Sequence, residues 1–310
     1  MDLDIPTFIS SLGVSSLTAI WLTKSLVAHR LEKDLQKYKN ELDRSLSDFK
    51  SVQDGLIRKD VEVYLKENEA DIRYNFEARA RLYQAIGPLK FQLLLAARDF
   101  KARVTNIPKK PYKIYLNGHY GKSTIYRLAR LLCLSELIES KVAYADFAVD
   151  ESSVKLLEFK KSLFLMLSGS KITSHHPNAN WKVQKEHIFF DTLSSIGNAL
   201  TINEGESVAR CMSFSEFTDA LKGYNFVEKI SPLVNVMSGL CLRGTPILWV
   251  RLSCVAVLCN ELIESLGRSV GFKYKPLDLS ALIRESNDDF VQRKADKYVE
   301  LCNETMSEGL

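Results

Sequence analysis

The stretch Lys109–Leu132, KKPYKIYLNGHYGKSTIYRLARLL, decides between two folds. A strand-like run ends in Gly-Lys-Ser-Thr and a helix-like pattern opens behind it, the order found in a nucleotide-triphosphate loop. Such a loop needs G-x-x-x-x-G-K-[ST], with two glycines five positions apart, so that successive backbone N–H groups curl round phosphate. Counting back from Gly121-Lys122-Ser123, the first glycine belongs at position 116, which is Leu116, and Gly118 comes two positions late. The run HIFFD, ending at Asp191, imitates an Asp after an apolar strand, but its surroundings WKVQKEHIFFDTLSSI read as helix. The βαβ alternation of a parallel sheet is missing. The expectation is a mainly α chain with a few short strands.

What remains in the opening stretch is charge. Ser123 or Thr124 is expected to cap a helix whose free N–H groups and positive dipole end attract an anion, with Lys122 beside them. Around it lie Arg98, Lys101, Arg103, Lys109, Lys110, Lys113, Arg127 and Arg130, so residues 98–130 hold nine basic side chains against the single acid Asp99. The whole chain carries only +4, so the remainder is net acidic. Interleaved are Tyr112, Tyr115, Tyr120 and Tyr126. Cations that track a phosphate backbone, with aromatic faces on which bases stack, are the combination used for single-stranded nucleic acid. The competing readings are tyrosines in a core, lysines on a solvated face, or a patch that touches anionic lipid.

The chain has 310 residues, 46% of them hydrophobic, ample for a buried core. Its six cysteines, Cys133, Cys211, Cys241, Cys254, Cys259 and Cys302, show no C-x-x-C pair and no histidines at zinc spacing, and read as reduced thiols packed as small apolar groups.

Residues Ile5–Leu22, IPTFISSLGVSSLTAIWL, carry no charge and approach the ~20 residues a helix needs to cross a bilayer. Asp2 and Asp4 precede the run, and Lys24, Arg30, Lys33, Lys37 and Lys39 follow it. That charge order is the reverse of a secretory signal, and it places the N-terminus outside and the rest inside a cytoplasmic membrane as a single-pass protein. Ser11, Ser15, Thr18 and Ser25 form a small polar stripe, suited to helix packing or to lining a narrow wet path, and Trp21 sits where an interfacial aromatic belongs. A soluble helix against a partner, or a monotopic anchor, is the alternative.

No proline falls between Pro6 and Pro88. Ala28, Leu35, Leu42, Phe49, Leu56 and Val63 occupy one heptad position, and Leu31, Tyr38, Ser45, Val52 and Lys59 the other. This seam predicts self-association through a coiled-coil stalk that frays near Gly55. Extended backwards it runs through Trp21 and Leu17 rather than the serine stripe. The expected organisation is a transmembrane segment over 1–28, a stalk over 29–78 and a helical cytosolic ligand-sensing domain over 79–310.

Within that domain an apolar helical face, Leu82, Ile86, Leu89, Leu93, Leu94 and Ala97, is expected to break at Gly87-Pro88. Further helices are expected near 90–105, 123–146, 151–168, 181–200, 215–238, 246–268 and 279–305. YKIYL (112–116) and VARCMSF (208–214) are expected as an extended edge, with INEGES as the turn before the second. ILWVRLSCVAVLC, from Ile247, is apolar enough to suggest a second span, but Arg251 and the nearby Asn260, Glu261 and Glu264 favour a buried core helix. Of His175, His176, His187 and Asp191 only His187 and Asp191 have a helical i, i+4 relation, TSHHPNANW reads as a Pro/Asn loop, and no G-x-S-x-G, H-E-x-x-H or forced carboxylate pair occurs, so neither an enzyme, a metal nor a cofactor is expected.

The segments LEKDLQKYKNELDRSL, YNFEARARLYQAIGPLKFQLLLAARDF, GHYGKSTIYRLARLLCLSELIE and VAYADFAVD, after a short N-terminal span, resemble a widespread group of bacterial membrane-anchored coiled-coil proteins. The layout is also similar to the transmembrane effectors of the Hailong phage-defence system. That resemblance implies a homo-oligomer, with four copies a candidate number, held inactive by DNA oligomers from a partner nucleotidyltransferase, whose loss opens the membrane as an ion channel or by disruption. A membrane-tethered scaffold for another protein and a hydrolase using Lys122 and Asp191 are the rival readings.

Overall fold

A computed structural model describes residues 26–41, 43, 58–108, 114–143, 150–172, 176–180, 185–204 and 208–308. The expected membrane segment, with Ser11, Ser15, Thr18 and Trp21, lies outside them, as do Leu42, Phe49, Val52 and Leu56 of the heptad seam. The described residues are mainly helical, with one two-stranded sheet. They divide into two compact units, Met1–Phe91 with Lys141–Glu151, and Gln92–Ser140 with Ser152–Leu310.

In the first unit, helix α1 (residues 26–41) lies against the middle of α2 (Arg58–Asn106), at residues 79–87. Val27 approaches Gly87, Arg30 and Asp34 act on Tyr83, and Arg79 donates to the Tyr38 hydroxyl at 2.8 Å. Numbers rise on one helix as they fall on the other, so the pair is antiparallel. Half-buried positions on α1 recur at Val27, Leu31, Asp34 and Tyr38, a 3.6-residue stripe. The heptad seam is thereby divided: Leu31 and Tyr38 face α2 of the same chain, whereas Leu35 is 44% exposed.

The break expected at Gly87-Pro88 does not occur, and α2 passes through Pro88. The proline removes the bond to the carbonyl of Gln84, a cost of ~3 kcal/mol in an isolated helix interior. Leu82, Ile86, Leu89, Leu93, Leu94 and Ala97 are all buried, and that apolar face holds both flanks in helical register.

The second unit is built round α8 (Pro246–Leu262), every described side chain of which except Glu261 is buried. A helix apolar on all sides is a central helix. With the π-turn Ile263–Gly267 and the 3₁₀ turn Arg268–Val270 it forms a 25-residue run long and apolar enough to cross a membrane, and 94% of its most apolar window is buried within the fold. Arg251 sits in this core, completely buried, and donates to the carbonyls of Met166 at 2.6 Å and Gly169 at 2.7 Å. Those carbonyls end helix α4 (Glu151–Ser168), so the guanidinium caps orphan acceptors at a negative dipole end. The N-terminus of α8 itself is capped by Glu186, which accepts from Leu248 N at 2.9 Å. α8 packs against α9 (Leu279–Arg284) and α11 (Ala295–Ser307).

Several expected boundaries are corrected. Of the helix expected over 181–200, residues 185–189 are not helical and α5 spans Phe190–Ala199, because Glu186 is drawn to α8 and Ile188 N bonds Leu167 O at 3.2 Å; residues 181–184 lie outside the described residues. The helix expected over 215–238 divides into α6 (Phe214–Ala220) and α7 (Tyr224–Met237) at Gly223. The helix expected over 279–305 divides into α9, capped by Asp278, α10 (Asp289–Arg293), where Asp288 turns back to cap a new N-terminus, and α11, which starts after Lys294 without a side-chain cap. INE is a strand, not part of a turn: β1 (Thr201–Glu204) pairs antiparallel with β2 (Val208–Cys211), Thr201 opposite Cys211. Ile114 bridges Leu240 rather than β2, with Gly239 at a φ of 80° giving the left-handed turn that presents Leu240.

Candidate anion-binding site

Helix α3 (His119–Val142) begins four residues before the expected cap, which places Ser123 and Thr124 inside its first turns. Its entry is a tight turn in which Gly118 N bonds Tyr115 O at 3.3 Å and Lys122 N bonds Gly118 O at 3.0 Å. A Cβ at Gly121 would stand 1.7 Å from the Tyr115 carbonyl oxygen. Glycine is needed there for packing of the turn, not for curling backbone round a phosphate.

The hydroxyls of the expected cap serve another purpose. From the last turns of α2, Arg103 donates to Ser123 Oγ at 3.0 Å and to Thr124 Oγ1 at 3.3 Å, and its guanidinium lies 4.2 Å from the centre of the Tyr120 ring. Arg127, one turn along α3, donates to the same Ser123 Oγ at 3.5 Å and to the Asp99 carbonyl at 2.7 Å. Ser123 and Thr124 are buried, the second accepting from Arg103 while it donates to Tyr120 O at 2.7 Å. Two guanidiniums thus converge on one hydroxyl. Burial, and next the positive charge of Arg103, hold the Arg127 pKa below its ordinary value. Among the described residues no carboxylate hydrogen-bonds either arginine. The carboxylate of Asp99 is taken by exposed Arg98 at 3.0 Å.

The remaining members of the expected patch divide. Lys101 turns to Asn260 Oδ1 at 2.9 Å and burial lowers its pKa. Lys122 and Arg130 are half-buried, and Tyr115 is exposed. Tyr126 belongs to the core, its hydroxyl donating to Met212 O at 2.7 Å and its ring against Phe214 and Phe217. Lys109, Lys110, Tyr112 and Lys113 lie outside the described residues. The cluster that geometry brings together is Arg103, Tyr120, Ser123, Thr124 and Arg127, with Arg98 at its edge.

A second polar centre escaped the sequence reading. Buried His176 accepts from Asn178 N at its Nδ1, 3.1 Å away, which leaves the proton on Nε2, 3.5 Å from Asp288 Oδ1. Burial, and then the carboxylates of Asp288 and Glu186, push the Tyr298 phenol up to about 12. The only sequence signal was a histidine beside a Pro-Asn loop. His187 is buried ahead of α5 and stands in no helical i, i+4 relation to Asp191. Among the described residues no group of three or more His, Cys, Asp or Glu is placed to hold a metal. An open cleft of about 390 Å³ between α4, α8 and α11 has Lys155, Glu158 and Glu261 in its walls, mixed charge rather than a surplus of one sign.

No protein-family model, curated protein or solved structure matches this chain, so the residues themselves carry the functional reading.

Proposed function

We propose that the Arg103–Arg127 face receives a phosphate-bearing ligand, with single-stranded oligonucleotide the class that fits best. The supporting observation is the meeting of two guanidiniums at the Ser123 hydroxyl without a carboxylate partner. Holding two like charges together in a partly buried place is costly, and a shared anion removes that cost while accepting their remaining N–H donors. Exposed Tyr115 supplies a stacking face, and Arg98, Lys122 and Arg130 widen the positive field. With the uncharged run Ile5–Leu22 as its membrane attachment, the chain reads as a receptor that reports an anionic ligand to an oligomeric membrane segment, which the ligand biases only through unequal affinity for its two arrangements.

The test is filter binding of short single-stranded DNA to the full-length protein in detergent across a salt series. The slope of log K against log salt should be about −0.7 for each phosphate neutralised, and Arg127→Gln should reduce its magnitude by roughly that amount. Absence of binding at low salt, or an unchanged slope in the Arg103→Gln/Arg127→Gln double variant, overturns the reading.

A further inference from the structure

Four of the six cysteines are packed as two thiol pairs, and they are not equivalent. Cys254 on α8 and Cys302 on α11 hydrogen-bond to each other with both side chains fully buried, and the Cys302 thiol is pushed far up, first by that bond and then by burial. Cys133 on α3 meets Cys211, the last residue of β2, in another setting. Thr201 and Cys211 are cross-strand partners, so their side chains share a face of the hairpin. Cys133 Sγ lies 3.6 Å from Thr201 Oγ1 and hydrogen-bonds the Cys211 thiol. Two turns earlier on α3, Tyr126 is tied to Met212, the neighbour of Cys211, which fixes the helix over the hairpin.

We infer that Cys133 and Cys211 form a reversible disulfide pair that a small hydroperoxide closes. Cys133 is the nucleophile: hydrogen bonds with the Cys211 thiol and the Thr201 hydroxyl, and the more distant charge of Arg130, favour its thiolate, although burial and the Glu136 carboxylate oppose it. Cys211 is the resolving thiol, held protonated by its bond with Cys133 and by burial; both cysteines are buried, so the oxidant has to be as small as hydrogen peroxide. The Cys133 thiolate attacks one oxygen of hydrogen peroxide, the O–O bond breaks, and hydroxide leaves, giving a sulfenic acid. The Cys211 sulfur then attacks that sulfur, and water departs with the proton of Cys211. Two thiols and one peroxide become one disulfide and two waters; each sulfur is oxidised by one electron and the peroxide oxygens are reduced.

The experiment treats the full-length protein under native conditions with hydrogen peroxide, alkylates the remaining thiols after unfolding, and maps the peptides. Cys133 and Cys211 should lose the alkylating label together, appear as one linked peptide lighter by two hydrogen atoms, and recover under dithiothreitol. The melting temperature should rise on oxidation and fall back on reduction, because the link closes a long loop. Cys211→Ser should leave Cys133 as a sulfenic acid that dimedone captures, and Cys254→Ser/Cys302→Ser should form the Cys133–Cys211 link unaltered. Full labelling of both cysteines at peroxide exposures that oxidise a free cysteine peptide overturns the inference. A Cys254–Cys302 link in place of the expected one does so too, and the unsubstituted protein alone decides both outcomes.

Discussion

At the residue scale, the glycine that made the opening stretch look like a phosphate loop turns out to be a packing residue. Gly121→Ala would drive a methyl into the Tyr115 carbonyl, and backbone cannot rotate away as a side chain can. The expected loss is about 3 kcal/mol, at the upper end for overpacking, read from the urea midpoint at pH 7. Glu216 provides a proton-linked counterpart. Arg210 donates to both of its oxygens, at 2.7 and 2.8 Å, and the Ser213 N–H donates as well, which holds its pKa down at about 2 from an ordinary 4.5. A depressed carboxylate stabilises the fold in full above its unfolded pKa and loses that contribution as pH falls through its folded one. Glu216→Gln should therefore flatten the stability curve between about pH 4.5 and about 2 in acid-unfolding measurements. The effect is modest because the carboxylate is 38% exposed and screened by water.

At the scale of elements, the contacts that fasten helices to one another are polar groups in apolar surroundings. Lys160 on α4 reaches Glu136 at 2.8 Å and Glu139 on α3, with its own side chain 10% exposed. Lys160→Met keeps the stem's packing but leaves Glu136 buried without its counter-charge, an expected loss of about 3–5 kcal/mol. Lys160→Met combined with Glu136→Gln should recover part of it, and a double-mutant cycle in urea measures the coupling. Helix ends show the same logic. Asp278, Asp288 and Ser213 are local caps readable three residues ahead, whereas Glu186 and Arg251 cap α8 and α4 from distant parts of the chain. No local rule points to the second kind.

At the scale of the whole molecule, a chain of net charge +4 confines nine basic residues to 98–130, so binding of an anion should be felt as stability. A single-stranded oligonucleotide at about a hundredfold its Kd should add ~2.7 kcal/mol, seen as a higher melting temperature in detergent. Arg103→Gln/Arg127→Gln should abolish that shift, and raising the salt should diminish it in parallel with affinity. A shift that survives the double substitution would place the ligand elsewhere on the protein.

The helical class, the core role of ILWVRLSCVAVLC and the rejection of a nucleotide loop were legible in the order of residues, because hydrophobic period, charge content and glycine spacing are local quantities. So was the surplus of arginine and lysine near residue 103. Local order could not say that α2 continues through Pro88, since burial of flanking leucines outweighs a missing hydrogen bond only when a neighbour covers them. Nor could it say that Ser123 is held by two arginines, that Tyr38 meets Arg79, or that Cys133 meets Cys211. Each is a meeting of side chains from separate elements, in the last case 78 positions apart by their numbers, and which ones meet depends on how helices pack rather than on the pattern within any one of them.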